Sequence, residues 1–143
     1  MSEEYTPIAV RRYSVEGQPE REIVLKIGQP FQVSPPGVDW ACPVVLEGLG
    51  DGHSKCVYGI DGVQAIQLAI QYARIQLEAS GLPLLWMSEE PGDLGLPRAI
   101  ESTVGLWFQR ELEKIVEKEQ RRMHEIVIEL GKVRERRRGS TGP

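Results

Sequence analysis

The stretch Tyr58–Gly81, YGIDGVQAIQLAIQYARIQLEASG, constrains this chain more than any other, because it alone joins a helix start, sustained helical periodicity and a helix stop. Asp61 is placed to accept from the backbone N–H of Val63 or Gln64, with Gln64 reaching back as in a capping box. Gly81 stands where a left-handed residue closes a helix, and Pro83 lies just beyond. Projection at about 100° per residue puts Gln64, Gln67, Gln71, Arg74 and Glu78 on one narrow polar stripe. The rest of the circumference, an arc of about 240°, is apolar, with Val63, Ile66, Ile70 and Leu77 on one flank and Leu68, Tyr72 and Ile75 on the other. Between the flanks run Ala65, Ala69 and Ala73, small enough to let another backbone approach closely. An arc this wide predicts a helix gripped from two directions. Gln76, which projects into the Ala row, is expected at the rim or hydrogen-bonded.

Upstream of this helix the period changes from 3.6 to 2. After a loose polar lead over residues 1–6, Pro7–Val15 reads as a strand, and Gly17 and Pro19 supply turn residues. Ile23, Leu25 and Ile27 then alternate with Glu22, Val24 and Lys26, the pattern of a strand with one buried face. Phe31 and Val33 can extend that strand past a bulge before the Pro/Gly loop at Pro35–Gly37. Trp40–Leu46 is a third strand with Trp40, Cys42, Val44 and Leu46 on one face; Pro43 lacks a ladder donor, which favours an edge or a bulge. The turn GLGDG leads to a fourth strand at Ser54–Gly59, completing a four-stranded meander, and Leu82–Met87 reads as a fifth strand after the helix.

The end of the chain is of another kind. Pro97 can occupy the first position of a helix, but Ser102–Gly105 are poor helix formers, so a break is expected near Gly105. From Leu106 to about Arg136 there is no Pro, and Leu112, Val116, Glu119, Met123, Ile126, Leu130 and Val133 recur at alternating steps of four and three, a heptad seam with Glu119 as its polar member. Glu117 with Arg121 and Glu111 with Lys114 add ion pairs along it. Such a helix spans roughly 45 Å, beyond the width of a domain of this size. Its cheapest partner is the same helix in a second subunit, through Leu112, Val116, Met123, Ile126, Leu130 and Val133.

These segments predict an α+β chain: an antiparallel four- to five-stranded sheet with one central helix on a face and a long C-terminal helix. Residues 1–97 form the α+β domain, 98–138 a helical extension for oligomerisation and 139–143 a frayed tail. At 143 residues with 41% hydrophobic and 27% charged residues, the composition is that of a globular chain able to build its own core. No apolar run approaches the roughly 20 residues of a membrane span, and MSEEYTPIAV lacks the features of a signal peptide, which points to the cytoplasm. Charge divides unevenly: residues 1–105 carry 7 Lys and Arg against 14 Asp and Glu, residues 106–143 carry 10 against 7. The acidic body would repel phosphate backbones, which leaves only RERRR at 134–138 for any nucleic-acid contact, a footprint better explained by the helix dipole.

Candidate chemistry is thin. Cys42 and Cys56 each lie about seven residues from Leu49 and are expected as reduced neighbours across the meander, since no C-x-x-C spacing signals a metal. His53 beside Asp51 sits in a tight Gly turn, and His124 lies on the long helix between Met123 and Glu125. GLGDG joins strand to strand, whereas a phosphate cradle feeds a helix. Glu89, Glu90 and Asp93 cluster in a Pro/Gly loop without EF-hand spacing. No catalytic, cofactor-binding or metal-ligating residue is assigned, and no cofactor is implied.

Two separated stretches, Tyr58-Gly59-Ile60-Asp61 running into Val63-Gln64-Ala65-Ile66-Gln67-Leu68-Ala69, and Asp93-Leu94-Gly95-Leu96-Pro97, resemble a bacterial domain family of unknown function over roughly Pro7–Pro97. The resemblance implies a small α+β domain and a bacterial source, with no activity to transfer. The function expected is a non-enzymatic cytoplasmic interaction protein that homodimerises through its C-terminal helix. Two alternatives are an immunity or adaptor protein whose acidic body binds a basic partner, and a small-molecule enzyme or sensor with a pocket between sheet and helix near Trp40, Tyr58, Tyr72 or Trp86.

Overall fold

A computed structural model describes residues 5–33, 39–50, 53–98 and 104–140. The chain divides into two compact units, Met1–Ala99 and Ile100–Pro143. The first is α+β. Its elements are β1 (Pro7–Val15), β2 (Gln18–Gly28), β3 (Phe31–Gln32), β4 (Trp40–Glu47), β5 (Ser54–Gly59), α1 (Gly62–Ala79) and β6 (Leu84–Leu85). Among its described residues the second holds the helix α2 (Leu106–Gly139).

All strands pair antiparallel in one sheet. β1 and β2 form a hairpin that turns at Gly17, where φ is +76°. β4 pairs with β2 through Val44–Glu47 and with β3 through Trp40–Ala41, and the registers differ by one residue. β3 is therefore β2 resumed after a bulge, as the alternation at Phe31 predicts. β5 takes the other side of β4, pairing Trp40 with Gly59 through to Val45 with Ser54. β4 is thus an interior strand and Pro43 is not at an edge. It lies opposite the gap between β2 and β3, where its missing N–H leaves no ladder bond broken. A Cβ at Gly28 would come within 2.8 Å of Tyr5 Cε2 and 2.9 Å of Pro43 Cβ, so the absence of a side chain there lets Tyr5 lie across the bulge. Tyr5, read as part of a loose polar lead, is thereby packed against Gly28. The buried Tyr5 hydroxyl has no partner among the described residues, and burial pushes its pKa up to about 12.

One sheet face supports α1. Ile23, Leu25 and Ile27 from β2, with Cys42, Val44 and Leu46 from β4, are buried beneath Ala65, Ala69, Ala73 and Leu77. The Ala row makes the contact its spacing predicts. A Cβ on Gly59 would stand 2.5 Å from the Ala65 backbone nitrogen, so strand and helix meet backbone to backbone there. The flanks do not find a second grip within this unit: Val63 is 67% and Ile75 52% exposed, while Ile66, Ile70 and Tyr72 are half-buried around the same core. One sheet suffices because three of the four innermost positions are alanines, small enough to sink close to it, which leaves the wider arc at the rim. Gln76 is half-buried there, as expected.

The fifth strand is shorter than Leu82–Met87. Only Leu84 and Leu85 pair, with Val15 and Ser14 of β1, which places β6 at the far edge. Trp86 leaves the sheet instead, and Arg11 lies over its ring 4.0 Å from the centroid. Helix formation from Pro97 is absent at Pro97 and Arg98, residues 99–103 lie outside the described residues, and α2 starts after Gly105, whose φ is +109°.

The β4–β5 register also places the thiols. Cys56 stands opposite Pro43 and Cys42 opposite Val57, so the cysteines occupy adjacent strands but opposite sheet faces, one residue out of the alignment expected for neighbours. Both are free. Burial, followed by the charge of Cys56, pushes the Cys42 thiol up to about 11. Mass-spectrometric alkylation of native protein at pH 8 is expected to label Cys56 and spare Cys42 until the protein unfolds; equal labelling would show the Cys42 site to be open. Gly59→Val is expected to destabilise the first unit by about 2–4 kcal/mol, through overpacking of backbone against backbone, as read by urea denaturation.

Candidate interaction surfaces

The two stretches that carry the resemblance turn out to be architecture. In the first, Asp61 caps α1 with its carboxylate accepting from Gln64 N at 2.7 Å, and Gln64 Oε1 accepts in turn from Ile60 N at 2.8 Å. The reciprocal bond thus reaches one residue further back than in a standard capping box. Gly59 and Ala65 supply the close approach already described. In the second, Leu94 is buried and its carbonyl accepts from the buried Tyr13 hydroxyl at 2.8 Å and from Arg11 at 3.3 Å. Gly95 O accepts from Arg11 at 2.6 Å, Gly95 holds φ +60°, and a Cβ there would overlap the Trp86 ring. Asp93 closes the turn by accepting from Gly95 N and Ser88 Oγ. The loop is a latch tying the chain after β6 back to β1. Tyr58 and Ile60, in the first of these stretches, stand exposed.

The isolated chemical candidates do not converge. Half-buried His53 gives its carbonyl to Leu46 N at 2.8 Å, its Nδ1 has no partner among the described residues, and Asp51 lies outside them. Of the acidic loop, Asp93 is engaged in the latch while Glu89 and Glu90 are exposed. Among the described residues there is no group of three or more His, Cys, Asp or Glu that could hold a metal ion, and no helix is long and apolar enough to cross a membrane. The four aromatics of a sheet–helix pocket are dispersed. Trp40 packs on the core and Tyr72 sits under Lys55, 5.2 Å from its ring centroid. Tyr58 pairs with Ala41 on the face away from α1, and Trp86 belongs to the latch.

What the described surface offers instead is exposed apolar area, arrayed in rows in two places beside scattered side chains such as Ile8, Val63 and Met87. On the sheet face away from α1, the ladder sets Phe31, Ala41 and Tyr58 in one row across three strands, with both aromatic rings exposed. Periodicity had no means of revealing this row, since it depends on the cross-strand register. The second place is α2, a 34-residue helix with no buried residue. Along it Val116, Met123, Ile126, Leu130 and Val133 are each 41–56% exposed, and Leu112 is half-buried. Flanking ion pairs hold the polar sides, including Glu111 with Lys114 at 2.7 Å, Glu117 with Arg121 at 3.7 Å and Glu119 with Arg122 at 2.8 Å. Arg136, Arg137 and Arg138 occupy the last turn, where cations favour the helix dipole. His124 is exposed on the same helix.

No curated protein and no solved structure matches the chain. A family model described as a domain of unknown function, DUF6968, matches residues 9–98, which holds most of β1, β2 through β6 and the latch. By that match, over more than half its length, the chain belongs to the DUF6968 family.

Proposed function

We propose that this protein is a non-enzymatic interaction protein of bacterial cytoplasm: residues 1–97 form the family domain, and the helical extension over 98–138 joins two copies. One observation carries the proposal. A helix of 34 residues carries six apolar side chains in heptad spacing and buries none of them. Leu, Ile, Val and Met side chains gain roughly 1.5–3 kcal/mol each on full burial, so a stripe of six left half in water is an unusual cost unless another surface covers it. A second copy presents the complementary spacing by identity. The dispersal of the titratable groups described above is consistent with binding in place of catalysis, and free thiols suit a reducing compartment.

A second function, docking of a protein partner with a basic surface, is favoured by the exposed row of Phe31 and Tyr58 on a unit of net negative charge. An adaptor or immunity role fits that surface. The product of a neighbouring gene would then bind with an affinity that falls as salt rises and on Tyr58→Ser; binding unmoved by either would remove this alternative.

Sedimentation velocity at tens of micromolar is expected to give the mass of a dimer. Ile126→Asp combined with Leu130→Asp places two carboxylates in the seam, and should weaken association by at least 100-fold, about 3 kcal/mol, while the urea midpoint of the first unit stays unchanged. A wild-type monomer under these conditions would refute self-association through α2.

A further inference from the structure

Building on the self-association proposed above, we infer that the two copies of α2 run antiparallel, with the twofold axis crossing between His124 and Glu125. The seam itself argues against the parallel alternative. In a parallel, in-register pair every layer meets its own copy, so Glu119 would face Glu119 of the second copy in the middle of an apolar stripe. Two carboxylates at that distance repel one another and lose water together. An antiparallel pair instead alternates the two kinds of layer. Val116 then meets Val133 of the second copy, Met123 meets Ile126, and Glu119 meets Leu130 while keeping its own ion pair with Arg122.

Charge chooses among the antiparallel registers, because in such a pair each seam is flanked by residues of the same heptad position from both helices. With the axis between His124 and Glu125, Arg122 flanks Glu129 of the second copy and Glu113 flanks Arg134, each pair occurring twice by symmetry. Sliding the axis back by half a heptad, to Arg121, sets Arg122 against itself and leaves Glu129 beside Ile115 and Glu113 beside Val127. Sliding it forward by the same amount, to Ile128, sets Glu129 against itself and Arg122 against Arg136. The inferred register thus matches opposite charges where its two neighbours oppose like ones. Exposed pairs contribute little stability singly, but they discriminate registers well because the wrong ones repel. Leu112 falls at the open end of this seam, where it is the least critical of the six apolar positions.

Disulfide trapping tests orientation and register together. In a Cys56→Ser background, with Cys42 left in place because it is fully buried, Val116→Cys and Val133→Cys are prepared separately and then mixed with time for subunit exchange. Copper-phenanthroline oxidation of the mixture is expected to cross-link one variant to the other, and neither variant should cross-link alone, since like positions lie about 25 Å apart along the axis. Self-cross-linking of each variant would establish a parallel pair, and a dimer that cross-links in no combination would establish another register; either overturns the inference and leaves self-association standing. A reduced sample that sediments as a monomer overturns both. As an independent measure, Arg134→Glu is expected to weaken the dimer about tenfold, and Arg134→Glu with Glu113→Arg to restore it. Failure of the double variant to recover would overturn the register.

Discussion

The close approach of α1 to the sheet at Gly59 and Ala65 is the contact on which the first unit depends. With 2.5 Å between a hypothetical Cβ and the facing backbone nitrogen, strand and helix touch through main chain, and the separation of the layers is set there. Everything next to that point follows. The Ala row can sink against Cys42, Val44 and Leu46, and Leu77 can reach the same core near the other end of the helix. Asp61 is then held where its carboxylate accepts from Gln64 N. A bulkier residue at any of these positions would lift the helix off the sheet and open the core along its length.

Much of this was legible in the order of residues, for reasons that can be named. The run Ile23, Leu25, Ile27 faces one layer and so shows a clean period of two, and the ends of α1 carry a cap and a left-handed glycine that act locally. Where the reading failed, the deciding contact was remote. The face on which Cys56 lies depends on whether the turn after Glu47 adds an odd or even number of residues to the register, which no local pattern records. Arg11 and Trp86 look like surface and strand residues, yet they meet because the chain returns to β1 after β6. Val63 and Ile75 look like core and are largely exposed, since an apolar side chain on a helix flank can remain at the rim.

The candidate surfaces differ in how visible they were. The stripe on α2 depends on one helix alone, so the heptad spacing reports it directly and the structure adds that the side chains stand exposed. The row of Phe31, Ala41 and Tyr58 is assembled from three strands and exists only once the registers of β3, β4 and β5 are known. Surface residues of this kind can vary without disturbing the fold.

The latch at Leu94 has a consequence for the order in which the molecule is made. Tyr13 and Leu94 are 81 positions apart, so the first unit cannot be completed until nearly its last residue has left the ribosome. α2 lies further along the chain and emerges only after Leu94. The segment with the most exposed apolar side chains therefore enters solution behind a body whose core residues have all been released, so that body can cover its core first.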